Sequence, residues 1–206
     1  VYIEHKGKKI VFIHVGGNAG TSIEWYLHTI DKPQSVHIEK FKDNNHSHID
    51  IIRAEGFPPP GQHEPLKWYN THDVSFAVVR NPFRRMLAKY FASPHSKDAK
   101  NHERAFEEFI VECYEYKTAF AQGQRIHTQC QSVLLEGVDV VLRFETLQED
   151  FNSFCMVHEL PIRDLVKCNS TSHPAKNMGL YTMKGVELVH YHNEEVFNKY
   201  YGKDKH

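Results

Sequence analysis

The 206-residue chain carries 25 Lys and Arg against 26 Asp and Glu, a formal net charge of −1 with histidine neutral. That balance excludes bulk electrostatic attachment to nucleic acid or to an anionic membrane and leaves only local patches. Hydrophobic residues at 40% and charged ones at 25% describe a globular chain with enough apolar material for one domain, not a disordered one.

Sixteen histidines beside four cysteines are the unusual feature. Cys113, Cys130, Cys155 and Cys168 are widely spaced with no C-x-x-C pair. Reduced thiols are therefore expected, not a zinc knuckle or a thioredoxin-like motif. No apolar run approaches the roughly 18 residues of a membrane span. The chain begins at Val1, not Met, which leaves room for a trimmed leader or anchor. The expectation is a single cytoplasmic domain over residues 1–206, with no nucleic acid among its partners.

In chain order, Lys9–Val15 (KIVFIHV) is rich in β-branched residues and predicts a buried strand. The glycine-rich Gly16–Ser22 follows at once, then Ile23–Ile30 with helical spacing of Ile23, Tyr26, Leu27 and Ile30. His46–Arg53 reads as a short helix, and the proline-rich Gly56–Pro65 as a loop. Val74–Val79 is a second buried strand ending at Arg80. Asn81-Pro82 then opens a helix to about Phe91, because Asn suits an N-cap and Pro the first helical position. Ala105–Tyr116 is amphipathic, Val138–Arg143 is a third strand, and Leu147–Leu160 is a helix stopped by Pro161. Asn169–Gly179 is a polar loop, and Met183–Tyr200 closes the chain as one helix. Strands alternating with helices predict an α/β fold, a P-loop-like domain with a central parallel sheet covered by helices on both faces.

Two segments suit anions. Gly16–Ser22 lies between a strand end and a helix start, where backbone N–H groups and the helix dipole converge on negative charge. Thr21 and Ser22 add hydroxyl donors, although a plain βα turn has the same outline. No Gly-Lys-Ser/Thr completes a Walker loop, and the glycine spacing is not that of a dinucleotide fingerprint. Between residues 80 and 101, Arg80, Arg84, Arg85, Lys89, Lys97 and Lys100 stand against Asp98 alone. A solvated basic helix face explains Lys97 and Lys100 but not Arg80 at a strand end. The expectation is that Arg80 shares a sheet edge with the glycine loop, an arrangement suited to a ligand with two separated phosphate-like groups.

These residues carry a resemblance. KIVFIHVGGNAGTSIE is similar to the 5′-phosphosulfate loop of the sulfotransferases that include the carbohydrate sulfotransferases, usually IFIHIPKTGGTSIE. FAVVRNPFRRMLAKYF resembles that family's 3′-phosphate element, usually FxFVRNPYDRLVSAYF. VVLRFETLQEDFNSF is similar to its later strand-end RFE segment, and NHSHIDIIR to a stretch in which a Lys-His pair precedes a helix. The matches recur in order over about Lys9–Phe154, with a weaker echo in Asn169–Tyr201. The resemblance implies 3′-phosphoadenylyl sulfate (PAPS) as sulfuryl donor. Gly17, Asn18, Ala19, Gly20, Thr21 and Ser22 would hold the 5′-phosphosulfate, and Arg80 the 3′-phosphate. It further implies in-line transfer to a hydroxyl of a small-molecule or carbohydrate acceptor, with no metal required. Two departures accompany it. The family's loop lysine is Gly17 here, a loss on the order of 3 kcal/mol of transition-state stabilisation. The family's 3′-site serine is Ala88, for which Arg84, Arg85 or Lys176 would compensate.

The histidines sort by context. His14, His158 and His190 fall on core elements and read as structural, whereas His5, His102, His127, His192 and His206 read as surface. His37, His63, His72, His95 and His173 lie in or beside loops. His46, aligned through Arg53, falls on the family's general-base histidine, with the preceding lysine replaced by Asn45; His48 is the runner-up and His72 follows. An imidazole titrating near neutrality suits deprotonation of a hydroxyl. H-E-x-x-H is absent, since His63-Glu64 and His158-Glu159 lack the second histidine. Beside the enzyme stand a weakened relative that binds PAPS or its bisphosphate product as a binding module, and a P-loop kinase. The missing Walker lysine argues against the kinase.

Overall fold

A computed structural model describes residues 1–31, 66–69, 71–97, 99–114, 130–167 and 178–202. The expected helix His46–Arg53, the loop Gly56–Pro65 and residues 169–177 of the later polar loop lie outside them. The chain divides into two compact units, Val1–Val78 with Leu135–Ser170, and Val79–Leu134 with Thr171–His206.

The first unit is built on a four-strand sheet in the order β1-β2-β3-β4. Strand β2 (Lys8–Ile13) pairs in parallel with β3 (Val74–Val79), Ile10 opposite Val74 and Ile13 opposite Ala77. All six residues of β3 are buried, the pattern of a strand covered on both faces, which is why its sequence is apolar at every position but Ser75 and does not alternate. Strand β4 (Val140–Arg143) extends the sheet on the far side of β3. The α/β class agrees with the sequence pattern. The addition is β1 (Tyr2–His5), which lies antiparallel against β2. Its two-residue turn, Lys6-Gly7, has positive φ at both positions (49° and 78°), a turn whose twist matches that of the flanking strands. Within β1, His5 is 6% exposed and its Nδ1 lies 2.9 Å from the Asp31 carboxylate. The expected surface histidine is a buried one.

Helix Gly20–His28 and helix Leu147–Val157 supply most of the remaining side chains of this core, with Ile30 and Leu160 just past their ends. Phe76 packs with Phe12 and Phe154 at centroid separations of 5.0 and 4.4 Å, and Tyr26 meets Phe151 edge-on at 4.8 Å. Burying each such ring contributes about 1.5–3 kcal/mol. The Arg163 guanidinium donates to the carbonyls of Thr29 and Ile30, both at 3.0 Å, satisfying acceptors that the first helix leaves open at its C-terminus. The helix expected to reach Leu160 stops at Val157. Glu159 adopts a φ of 60°, and the Leu160 N–H turns back to the Cys155 carbonyl at 2.8 Å.

The second unit is helical. Helices Pro82–Ala92, His102–Tyr114 and Met183–His192 contribute to a cluster that includes Phe83, Leu87, Tyr90, Phe106, Ile110, Val189 and Phe197. The closing helix, expected to be continuous, breaks at Asn193. This residue is 1% exposed and donates to Tyr114 Oη at 2.9 Å and the Val189 carbonyl at 2.8 Å. A short turn, Glu194–Val196, and a π-helical turn, Phe197–Tyr201, complete the chain's described end. Two short helices, Pro94–Lys97 and Gln131–Leu135, had no counterpart in the sequence pattern. Among the described residues Cys113, Cys130 and Cys155 are free thiols, and no helix is long and apolar enough to cross a membrane.

One polar joint ties β3 to β4. Asp139 accepts the Ser75 N–H at 2.8 Å and the Ser75 hydroxyl at 2.6 Å, and its own N–H donates to Ser75 Oγ at 3.0 Å. The Ser75 hydroxyl first, then its N–H, hold the carboxyl below the usual aspartate value, with nearby His72 adding a smaller effect. Asp139→Ala should lower stability by about 1–2 kcal/mol, seen as a lower urea midpoint at unchanged slope. Because the folded carboxyl is the stronger acid, the wild type's advantage is full above the unfolded value. It disappears as pH falls below about 4, so the two proteins converge in acid.

Candidate functional site

The glycine loop enters helix Gly20–His28 through two left-handed residues, Gly17 at φ 85° and Ala19 at φ 61°. Ala19 is the N-cap and offers no side-chain acceptor, and the first turn carries no acid. The N–H groups of Ala19 and Gly20 meet no acceptor within the described residues. The Ser22 and Ile23 N–H groups, by contrast, both turn to the Ala19 carbonyl, at 3.0 and 3.3 Å. An uncapped helix N-terminus with open N–H groups and no nearby carboxylate in its first turn is a cradle for an oxyanion. Asn18 anchors the loop from below. It is fully buried and donates its amide to the Val78 carbonyl at 2.7 Å, fixing the turn to the end of β3.

Gly20 is required by a close approach. The His14 imidazole lies against its Cα, so that a Cβ built there would enter the ring. The same ring bonds through Nδ1 to Glu24 Oε1 at 2.7 Å, and the Glu24 side chain is 1% exposed. Glu24 Oε2 has no hydrogen-bond partner among the described residues. His14 therefore satisfies one oxygen of a buried carboxylate one turn beyond the cradle. The sequence placed His14 as structural, but nothing in it pointed to Glu24 as its partner.

In the second unit, Arg80 follows the last residue of β3. Gln131, fully buried, clamps its backbone on both sides, accepting the Arg80 N–H at 3.0 Å and donating to the Arg80 carbonyl at 2.8 Å. The isolated polar letters around Gln131 carry no motif, so the sequence could not reveal this clamp. Asn81 caps the next helix as expected, its Oδ1 accepting the N–H groups of Phe83 and Arg84 at 3.0 and 3.3 Å, with Pro82 at the first helical position. Of the residues considered as compensating for Ala88, Arg84 is exposed and Arg85 is buried at 1% exposure. Burial lowers the Arg85 guanidinium to about 10, so it stays charged at neutral pH.

The loop's donor set fits a phosphate or sulfate group through N–H dipoles, with no cation among Gly16–Ser22. The missing lysine has a backbone correlate, since at φ 85° a residue with a side chain costs about 1–2 kcal/mol that glycine avoids. Thr21 is half-buried and Ser22 buried, both in the helix's first turn. His46 and His48 lie outside the described residues, as does Lys176. His72 is half-buried, its Nε2 3.6 Å from Asp139 Oδ2. Among the described residues, no group of three His, Cys, Asp or Glu side chains forms a metal cluster. Gly20→Ala should cost about 1–3 kcal/mol by overpacking against His14. In a His14→Ala background the same change should cost about 1–2 kcal/mol less, a coupling read by a double-mutant denaturation cycle.

A comparison with curated proteins gives no match. A comparison with protein-family profiles matches the Sulfotransferase family over residues 2–204, nearly the whole chain. The match takes in the uncapped loop after β2 and the Arg80 segment after β3 alike, and the chain belongs to the sulfotransferase family.

Proposed function

We propose that this protein moves a sulfuryl group from PAPS to a hydroxyl of a small-molecule acceptor, a carbohydrate by resemblance. The observation that carries the reading is the pair of open N–H groups, Ala19 and Gly20, at the uncapped start of the first helix. In this reading they meet the donor's 5′-phosphosulfate, with Gly17, Asn18, Thr21 and Ser22 shaping the cradle, and Arg80 takes the 3′-phosphate. His46 removes the acceptor's proton as the acceptor oxygen attacks sulfur in line. The bond from sulfur to the 5′-phosphate oxygen breaks, and the N–H dipoles stabilise the charge that grows on the leaving phosphate. His48 is the alternative base. A second reading, a nucleotide-binding relative with weakened transfer, is favoured by Gly17, whose positive φ disfavours the family's lysine.

Adenosine 3′,5′-bisphosphate should bind with little loss when EDTA is added, and label should pass from radiolabelled PAPS to an acceptor pool. Binding without transfer to any pool would favour the second reading, and a requirement for ATP and magnesium would sink both. Gly17→Lys should lower stability by about 1–2 kcal/mol yet raise transfer, and a rise above tenfold would mark the natural loop as catalytically weakened. His46→Ala should cut transfer by about a hundredfold or more while bisphosphate affinity holds within about threefold. Full turnover in that variant would move the base elsewhere.

A further inference from the structure

His14 closes the base of the anion loop. It stands immediately after β2, the chain turns through Gly16–Ala19, and the imidazole comes back against Gly20, where the helix begins. The N–H of Gly20 leaves the same residue that the ring touches, and that of Ala19 is one peptide away. Neither meets an acceptor among the described residues. The ring's Nδ1 is 2.7 Å from Glu24 Oε1, so one side chain joins the end of β2 to the first and second turns of the helix. Phe12 flanks the ring at a centroid separation of 6.0 Å. Glu24 is a costly residue for this place. It is 1% exposed, and its Oε2 has no hydrogen-bond partner among the described residues. An apolar side chain of similar size would fill the space without that penalty. What the carboxylate adds is a fixed acceptor for Nδ1, which stops the ring from turning and keeps it seated on Gly20.

We propose that Glu24 and His14 are positioning residues for the donor's 5′-phosphosulfate. The Glu24 carboxylate holds the His14 ring, and the ring holds the Ala19 and Gly20 N–H groups where an oxyanion meets both. This rests on the donor reading above, in which those two N–H groups face the 5′ group. Neither side chain touches the donor in this assignment; both act through the backbone of the helix start. Fixed dipoles bind charge without reorganising, so a helix start free to shift by about 1 Å gives up much of that advantage.

The test compares two ligands of the full chain by calorimetry. Adenosine 3′,5′-bisphosphate reaches the loop, whereas adenosine 3′-phosphate lacks the 5′ group and reaches only the Arg80 side. Glu24→Leu should weaken the bisphosphate by about tenfold and leave adenosine 3′-phosphate within about twofold. Its urea midpoint should be unchanged or higher, because a buried carboxylate has been replaced by an apolar group. Glu24→Gln, which keeps an acceptor for Nδ1, should restore bisphosphate affinity to within about threefold of wild type. If Glu24→Leu does not fold, His14→Phe with Glu24→Leu replaces both partners by apolar groups and is expected to show the same selective loss. Wild-type bisphosphate affinity without the Glu24 carboxylate, equal losses for both ligands, or a Gln variant no better than Leu each overturns the assignment and leaves the donor reading standing. If the wild type does not bind the bisphosphate, the donor reading fails, and inorganic sulfate, followed by the Ala19 and Gly20 amide shifts, decides the clamp. Sulfate shifts that Glu24→Leu weakens and Glu24→Gln restores support it; shifts that are equal in all three proteins, or absent from the wild type, overturn it.

Discussion

The contact of the His14 ring with Gly20 sets the geometry of the anion loop. The ring occupies the space a side chain would need, so the helix must begin on a residue without one. The same imidazole holds Glu24 through Nδ1, so the residue just past β2 and the helix's buried acid are fixed by one another. Asn18, tied to the Val78 carbonyl, fixes the loop on its other side. Between these two restraints the N–H groups of Ala19 and Gly20 meet no acceptor among the described residues, a fixed pair of dipoles suited to negative charge.

Electrostatics in the second unit follow a different logic. Four of its cations, Arg80, Arg84, Arg85 and Lys89, lie on or just before helix Pro82–Ala92, and one of them, Arg85, is sealed in protein where water cannot screen it. Hydrophobic packing of Phe83, Leu87 and Tyr90 on the same helix holds it there, together with the Asn81 cap and the Gln131 clamp. The near-neutral charge of the whole chain conceals this local excess of positive charge. Charge balance over a sequence therefore excludes broad polyanion binding without excluding a local run of positive charge.

Much of this was legible in the amino-acid order because local chemistry dictated it. The apolar run of β3 ends as read, Asn81-Pro82 starts a helix as read, and the glycine loop sits where a strand hands over to a helix. What escaped depended on partners distant in sequence. His5 looked exposed because its partner, Asp31, is 26 residues away, and β1 was passed over because Lys6-Gly7 is a weaker turn signal than Asn-Gly. The break at Asn193 was hidden because its cause, a bond to Tyr114, comes from another helix. Gln131 carries no pattern at all, since its role is defined only by the backbone of Arg80. The base assigned to His46 rests on resemblance, and its neighbourhood is outside the described residues.

The hairpin that opens the chain has an effect on solubility. With β1 in place, the described sheet ends in two strands of four residues each. Tyr2 and Glu4 on one and Arg143 on the other are exposed. The fully buried β3, apolar at every position but Ser75, is thereby kept inside the described sheet, between strands whose exposed residues are partly charged. Without β1, the buried run of β2 would itself become the edge, offering six residues of open backbone to another copy. The hairpin thus works as a guard against strand-to-strand aggregation as well as a piece of the fold.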